Sequence, residues 1–152
     1  RIQTNHELEP IIRHGEPPAI LRFEDVKQEI LGIFSIISSF KKSGYTSLGI
    51  VCKTETQARE LSESLRVHTG DIHFLSNQSS AFMKGIIVTS SHMAKGLEFD
   101  EVIVPYVNAK NYNSAIDKSM LYVAVTRAMH RLTLTYNGRP SEFIPASSDQ
   151  NF

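Results

Sequence analysis

A single cysteine, Cys52, stands in a chain of 152 residues, so no internal disulfide can form and no cysteine-based metal framework is available. Its place within Leu48-Gly49-Ile50-Val51-Cys52 reads as a small buried hydrophobe, and a lone thiol fits a reducing compartment. Net charge is missing as well. Sixteen basic residues against sixteen acidic ones leave a formal +0, so no global field draws the chain toward nucleic acid or an anionic membrane, and any such contact has to be local. No apolar run approaches the roughly 18 residues that a membrane span requires, and no secretory leader pattern opens the chain, so a cytoplasmic protein without membrane partners is expected. The phosphate-cradling pattern G-x-x-x-x-G-K-[ST] is absent, as is a G-x-S-x-G nucleophile elbow. The six histidines are scattered, and His68 with His73 lacks the i, i+4 spacing of a helical metal pair, so no metal ligands are assigned. An initiator Met is lacking too, and Arg1-Ile2-Gln3-Thr4-Asn5 begins no evident element, which reads as a fragment of something longer.

What is present is one domain's worth of chain with 41% hydrophobic residues, enough for a single core. Residues 1–18 carry Pro10, Pro17 and Pro18 and no sustained period, and read as an N-terminal lead-in. Ala19-Ile20-Leu21-Arg22-Phe23 is a first strand. From Asp25, Val26, Ile30, Ile33, Phe34, Ile37 and Phe40 recur at helical spacing, and Lys41-Lys42-Ser43-Gly44 supplies a stop. Thr46 to Lys53 is rich in β-formers. Thr54-Glu55-Thr56-Gln57 has the pattern of a capping box, opening a helix to about Arg66 with Ala58, Leu61 and Leu65 inward. Ile72 to Leu75 and Gly85 to Thr89 read as strands separated by a polar loop over Ser76 to Ser80. Strands at Glu101–Val104 and, more loosely, out to Val107 follow, then an Asn-rich connection over Asn108 to Ser114 that reads as exposed. A helix from about Ala115 to Met129 leads into a last strand over Arg131–Tyr136, and Asn137 to Phe152 reads as a surface strap, flexible from residue 145. Strand alternating with helix over some 120 residues predicts an α/β domain with a parallel sheet covered on both faces.

Two stretches carry the chemistry. Ser90-Ser91-His92-Met93-Ala94-Lys95-Gly96-Leu97-Glu98-Phe99-Asp100 gathers an imidazole, a cation, a permissive backbone and a carboxylate, expected at the carboxyl end of a buried strand, where open α/β sheets bind ligands. A solvated turn and a polyanion or nucleotide site both fit these residues taken alone. Leu121-Tyr122-Val123-Ala124-Val125-Thr126-Arg127-Ala128-Met129 sets Arg127 on a helix whose other face is small and apolar, so that it projects from a fixed platform, either toward a ligand or toward a pairing carboxylate.

The first stretch resembles motif V, and the second, continued by His130-Arg131-Leu132, resembles motif VI, of the UvrD-like superfamily 1 helicases. Val51-Cys52-Lys53-Thr54-Glu55-Thr56-Gln57-Ala58-Arg59 is similar to a strand-to-helix segment of that family's second RecA-like lobe, so the likeness covers roughly residues 19–144. The short path from Leu65 to Ile86 leaves no room for the large inserted subdomain of UvrD and Rep, which places the resemblance nearer the helicase IV, or HelD-like, branch. The resemblance implies a RecA-like fold of the P-loop NTPase type without a P-loop of its own. It implies ATP with Mg2+ in a cleft against a first RecA-like lobe that holds the metal, and movement along single-stranded DNA, 3′ to 5′. Arg127 matches the arginine that reaches the γ-phosphate. Glu98 matches the carboxylate facing the nucleotide sugar, with Gly96 and Lys95 beside it. Ser90 and His92 match positions lying toward the DNA backbone, and Lys53 and Thr54 could contact a nucleic-acid phosphate, although Thr54 equally serves as a helix cap. On that pattern one loop touches both ligands. Ser91 and Met93 depart from the family pattern, and the family's Gln-Asn-Tyr-Arg-Ser-like segment is absent. The isolated lobe is expected to be inactive. An alternative implied by the HelD-like branch is an ATPase factor that binds and remodels RNA polymerase.

Overall fold

Alternation of apolar residues along the central strands decides which helix covers which face. In the computed structural model, which describes residues 17–76 and 84–145, Leu48, Ile50 and Cys52 face one core while the intervening Val51 faces another. Ile86 and Val88 are likewise separated from Ile87, and Ile103 from Val102 and Val104. Both faces of the sheet are therefore buried, as near-continuous apolar runs in parallel strands require.

Six strands, β1 (Ala19–Phe23), β2 (Ser47–Cys52), β3 (Ile72–Phe74), β4 (Gly85–Ser90), β5 (Phe99–Val104) and β6 (Ala128–Asn137), form one sheet in the order β1-β6-β5-β2-β4-β3, and every pairing is parallel. Helices α1 (Val26–Lys41) and α2 (Glu55–Arg66) cover one face, through Ile33, Ile37 and Phe40 and through Ala58, Leu61 and Leu65. The short α3 (Ser91–Ala94) and α4 (Ala115–Val125) cover the other, where Ala94, Leu121, Ala124 and Val125 meet Phe99, Leu132 and Leu134. This is the α/β architecture that the strand and helix pattern predicts. The polar loop over Ser76 to Ser80 lies mostly outside the described residues, as do most of the lead-in and the residues after 145.

Three expectations change. The helix read to Met129 ends at Val125; Thr126 closes it, its amide donating back to Tyr122 O, and β6 begins at Ala128, so Arg127 occupies a tight turn and not a helix face. The Asn-rich connection is not simply exposed. Tyr112 within it is fully buried, Asn113 spends its amide on the loop's own carbonyls and Asn111 donates to Tyr106 O ahead of the loop. Strand β5 stops at Val104, and Tyr106 adopts a left-handed backbone with φ of 61°, so the run to Val107 is not continuous strand. The strap after β6 bridges back, Asn108 pairing with Pro140, and buries Phe143 and Ile144 in the α4-side core.

Topology creates one further feature. From β2 the chain leaves over the α2 face toward β3, and from β5 it leaves over the α4 face toward β6. The carboxyl ends of these neighbouring strands diverge, which is a topological switch point.

Candidate functional site

The segment from Ser90 to Asp100 does not sit at one end of the sheet. Ser90 pairs with Cys52 at the carboxyl edge, whereas Phe99 opens β5 at the amino edge, so residues 91–98 cross the α4 face from one edge to the other. A six-residue strand spans roughly 20 Å. Ser90 and His92 therefore lie at the opposite edge from Gly96 and Glu98, and the expectation that all of these residues cluster at a carboxyl end is corrected.

At the amino edge, Gly96 turns with φ of 83°, in open space, and Leu97 N closes the turn by donating to Ala94 O. Lys95, Gly96 and Glu98 are exposed. The turn is anchored on both sides. Asp100 accepts from Thr46 N at 2.7 Å, from Thr46 Oγ1 and from Ser47 N, and these bonds, the Thr46 amide foremost, hold its carboxyl below the usual range. Phe99 N donates to Arg127 O at 2.9 Å. Arg127 in turn fastens the two sequence stretches together: Nε donates to Val123 O at 3.1 Å, Nη1 to Leu97 O at 3.1 Å and Nη2 to Thr126 Oγ1 at 3.1 Å. Three of five guanidinium N–H groups are thus committed to oxygens without formal charge, and each terminal nitrogen keeps one donor. Among the described residues no carboxylate forms an ion pair with Arg127, so its half-buried charge is fixed in place and uncompensated.

At the carboxyl edge, Ser90 is buried and its Oγ accepts from Met93 N, capping α3. Ser91, buried, donates to Met120 O at 3.1 Å and so satisfies its hydroxyl where an apolar residue would be ordinary. His92 is exposed and, with Lys95, rims a shallow groove of about 240 Å³ whose floor is Ile116, Met120 and Val123. Thr54 acts as the cap of α2, accepting from Gln57 N at 3.1 Å, but Gln57 does not reach back; its Nε2 donates to Asn111 Oδ1 at 2.9 Å. Lys53 is committed as well. Its Nζ lies 2.8 Å from Asp117 Oδ1 and donates to Asn111 O at 2.6 Å, with 20% of the side chain exposed. The edge thus presents His92 as its open contact, while Ser90, Lys53 and Thr54 build the platform beneath.

Sequence reasoning missed Asp117 and Asn111. Asp117 caps α4 reciprocally with Ser114, accepting from Asn113 N and Ser114 N, and Ser114-Ala115-Ile116-Asp117 carries that capping-box signal openly. Its pairing with Lys53 has no local signal. Among the described residues, no group of three or more His, Cys, Asp or Glu side chains could hold a metal ion, and no helix is long and apolar enough to cross a membrane.

Residues 85–135, which include both stretches, match a family model described as UvrD-like helicase C-terminal domain; that description names no branch within the family. The fold is similar to the C-terminal domain of a possible DNA helicase from Lactobacillus plantarum WCFS1, with a TM-score of 0.79 and 26% identity over 93% of this chain and 88% of that one. It is also similar to part of Arterivirus nonstructural protein 10, a helicase solved with DNA (TM-score 0.56, 14% identity, 86% of this chain and 30% of that one). A Sulfolobus solfataricus SWI2/SNF2 ATPase core in complex with double-stranded DNA matches comparably (TM-score 0.55, 14% identity, 86% and 30%). No curated protein sequence matches the chain. The six-stranded parallel sheet with its flanking helices is a RecA-like α/β fold, and over nearly its whole length the chain is similar to a helicase C-terminal domain.

Proposed function

We propose that this chain is the second RecA-like lobe of an ATP-driven DNA helicase or translocase of superfamily 1. The observation that carries the reading is the setting of Arg127. Its guanidinium is held by Leu97 O from one stretch and Val123 O from the other, on the same edge as Glu98, with two donors unspent and no carboxylate pair among the described residues. In this reading ATP binds between this edge and a first lobe, which supplies the phosphate loop and holds Mg2+. Water attacks the γ-phosphorus, the bond to the β-γ bridging oxygen breaks, and Arg127 neutralises the negative charge that develops as ADP leaves. Such arginines contribute about 10³ to 10⁵ in rate. Glu98 faces the nucleotide sugar as an acceptor for its hydroxyls, beside Gly96 and Lys95. His92 meets single-stranded DNA at the other edge, where Ser90, Lys53 and Thr54 form the supporting platform.

The test is ATP turnover by the full-length parent protein, with and without single-stranded DNA, comparing natural sequence with Arg127→Ala and Arg127→Lys. Both variants are expected to lose strand-stimulated turnover by at least about a hundredfold, because lysine keeps the charge but cannot hold three anchoring bonds and still fork toward phosphate. Circular dichroism and nucleotide affinity control for folding. Unchanged turnover in a folded Arg127→Ala protein would make Arg127 a structural staple and sink the assignment.

A further inference from the structure

At the switch point between β5 and β2, on the α1 and α2 side of the sheet and away from His92, a crevice of about 540 Å³ opens, within the range of small-ligand sites. Its floor is apolar, from Val26, Ile30 and Leu61, and the Tyr106 ring forms one wall. Its upper wall is a run of side-chain amides, Gln57, Asn108, Asn111 and Asn137, with Lys110 exposed among them and Glu60 opposite on α2.

The wall is rigid for reasons visible in its hydrogen bonds. Glu29, with no exposed surface, accepts from Tyr106 N at 2.9 Å, Thr135 Oγ1 at 2.6 Å and Asn137 Nδ2 at 2.7 Å, which holds Tyr106 in its left-handed conformation. Backbone strain of this kind, at a residue with a bulky ring, concentrates at ligand sites. Asn111 Nδ2 donates to Tyr106 O, so its Oδ1 must be the atom that accepts from Gln57 Nε2. That fixes the Gln57 amide with Oε1 turned the other way, buried and without a hydrogen-bond partner. Asn137 likewise spends its NH2 on Glu29 and keeps its oxygen. The groups left facing the crevice are mixed: Asn137 Oδ1 and the Glu60 carboxylate accept, the amide of Asn108, whose Oδ1 already accepts from Asn111 N, donates, and Lys110 is the cation. Burial pushes the Tyr106 phenol up, so the ring wall is neutral.

We propose that this crevice binds one unpaired nucleobase whose edge carries an exocyclic amino group, stacked against Tyr106 over the apolar floor, with its phosphate toward Lys110. An aromatic ring beside an apolar floor suits a base face, amide and carboxylate oxygens suit an amino-bearing edge, and a single cation suits a single phosphate. The base could come from a free nucleotide or from a strand; the strand source rests on the helicase-lobe reading above, and the free-nucleotide source does not.

The experiment follows the side-chain amide and backbone resonances of the 15N-labelled chain during titration with a deoxycytidine decamer, an abasic decamer of equal length, a thymidine decamer and dCMP. The deoxycytidine decamer, dCMP or both are expected to shift the side-chain amides of Gln57, Asn108 and Asn137, more strongly than thymidine and not with the abasic strand. Shifts with dCMP alone assign the site to free nucleotides; shifts with the decamer alone assign it to a strand. Ser64→Trp, which fills the crevice from α2, and Tyr106→Gly, which keeps a backbone that glycine tolerates but removes the ring, are each expected to abolish these shifts and leave distant resonances in place. Lys110→Ala is expected to weaken phosphate-bearing ligands severalfold. Equal shifts from the abasic strand, shifts confined to the His92 and Lys95 side, retention of the shifts in both crevice variants, or no shift from any ligand would each overturn the proposal. None of these outcomes depends on Arg127, so the two readings can fail separately.

Discussion

Replacing Asp117 by Asn should weaken the fold in a way that depends on pH, and the structure states the direction. Burial by itself works to raise this carboxyl, but the hydrogen bond from Lys53, the amides of Asn113 and Ser114 and the Lys53 charge outweigh it and hold it at about 2, against an ordinary 3.8. A displacement of that size corresponds to about 2 kcal/mol; screening by water at the sheet's rim reduces the realised share to about 1 kcal/mol. Because the folded value lies below the unfolded one, the contribution is complete above about pH 5, fades as pH falls from the unfolded value through the folded one and is gone by about pH 1, below both. Asp117→Asn loses the charge, and its single oxygen cannot serve both Lys53 and the amides of Asn113 and Ser114, so it should lower unfolding free energy by about 2 kcal/mol at neutral pH and by a smaller, capping share at low pH. Urea titrations of both proteins at several pH values supply the difference directly, which cancels the other acids that titrate in the same window. Lys53→Met should remove most of the effect in a double-mutant cycle. A difference that stays constant from pH 7 to pH 2 would refute the argument, since it would place the cost in helix capping alone.

Two further substitutions test the packing. Gly49→Ala would set a Cβ 2.4 Å from the Phe99 ring, which is fully buried and cannot step aside, so a loss of about 1 to 3 kcal/mol in thermal or urea unfolding is expected, and an unaffected midpoint would show that the Phe99 packing is looser than described. Glu29→Gln offers one acceptor oxygen in place of two to the three donors that converge on it; unfolding free energy should fall by about 2 kcal/mol, with amide exchange at Tyr106 accelerating first, and a neutral result would mean that the Glu29 charge is dispensable to the crevice.

Helices α1 and α2 were legible because Ile33, Ile37 and Phe40, and Ala58, Leu61 and Leu65, recur at a period that only a helix can bury. Strand order was not, because β1 pairs with β6 and β2 lies between β4 and β5, contacts with no local trace. Both stretches of the candidate site could be read residue by residue, yet their placement could not. Thr126-Arg127-Ala128 contains no glycine or proline to mark the end of α4, so the helical pattern ran on to Met129. The crossing of residues 91–98 from edge to edge was hidden for a similar reason: a four-residue helix leaves too little period to detect. Asn108 to Ser114 misled in the opposite sense, since its asparagines satisfy backbone carbonyls of the loop and of Tyr106 ahead of it and thereby allow Tyr112 to be buried.

The pairing of β1 with β6 has a consequence during synthesis. Phe23 lies opposite Asn137, some 110 residues later, and the buried Glu29 finds Thr135 and Asn137 only there. At about 5 to 20 residues per second, the first strand and helix wait roughly 5 to 20 seconds for their partners to emerge from the ribosome. Through that interval the apolar face of α1 can rest on β2 and α2, but the strand before it has no edge to join. Among the described strands β1 is therefore the one whose partner is made last, and a chaperone that shields short apolar strands would have its longest opportunity at Ala19–Phe23.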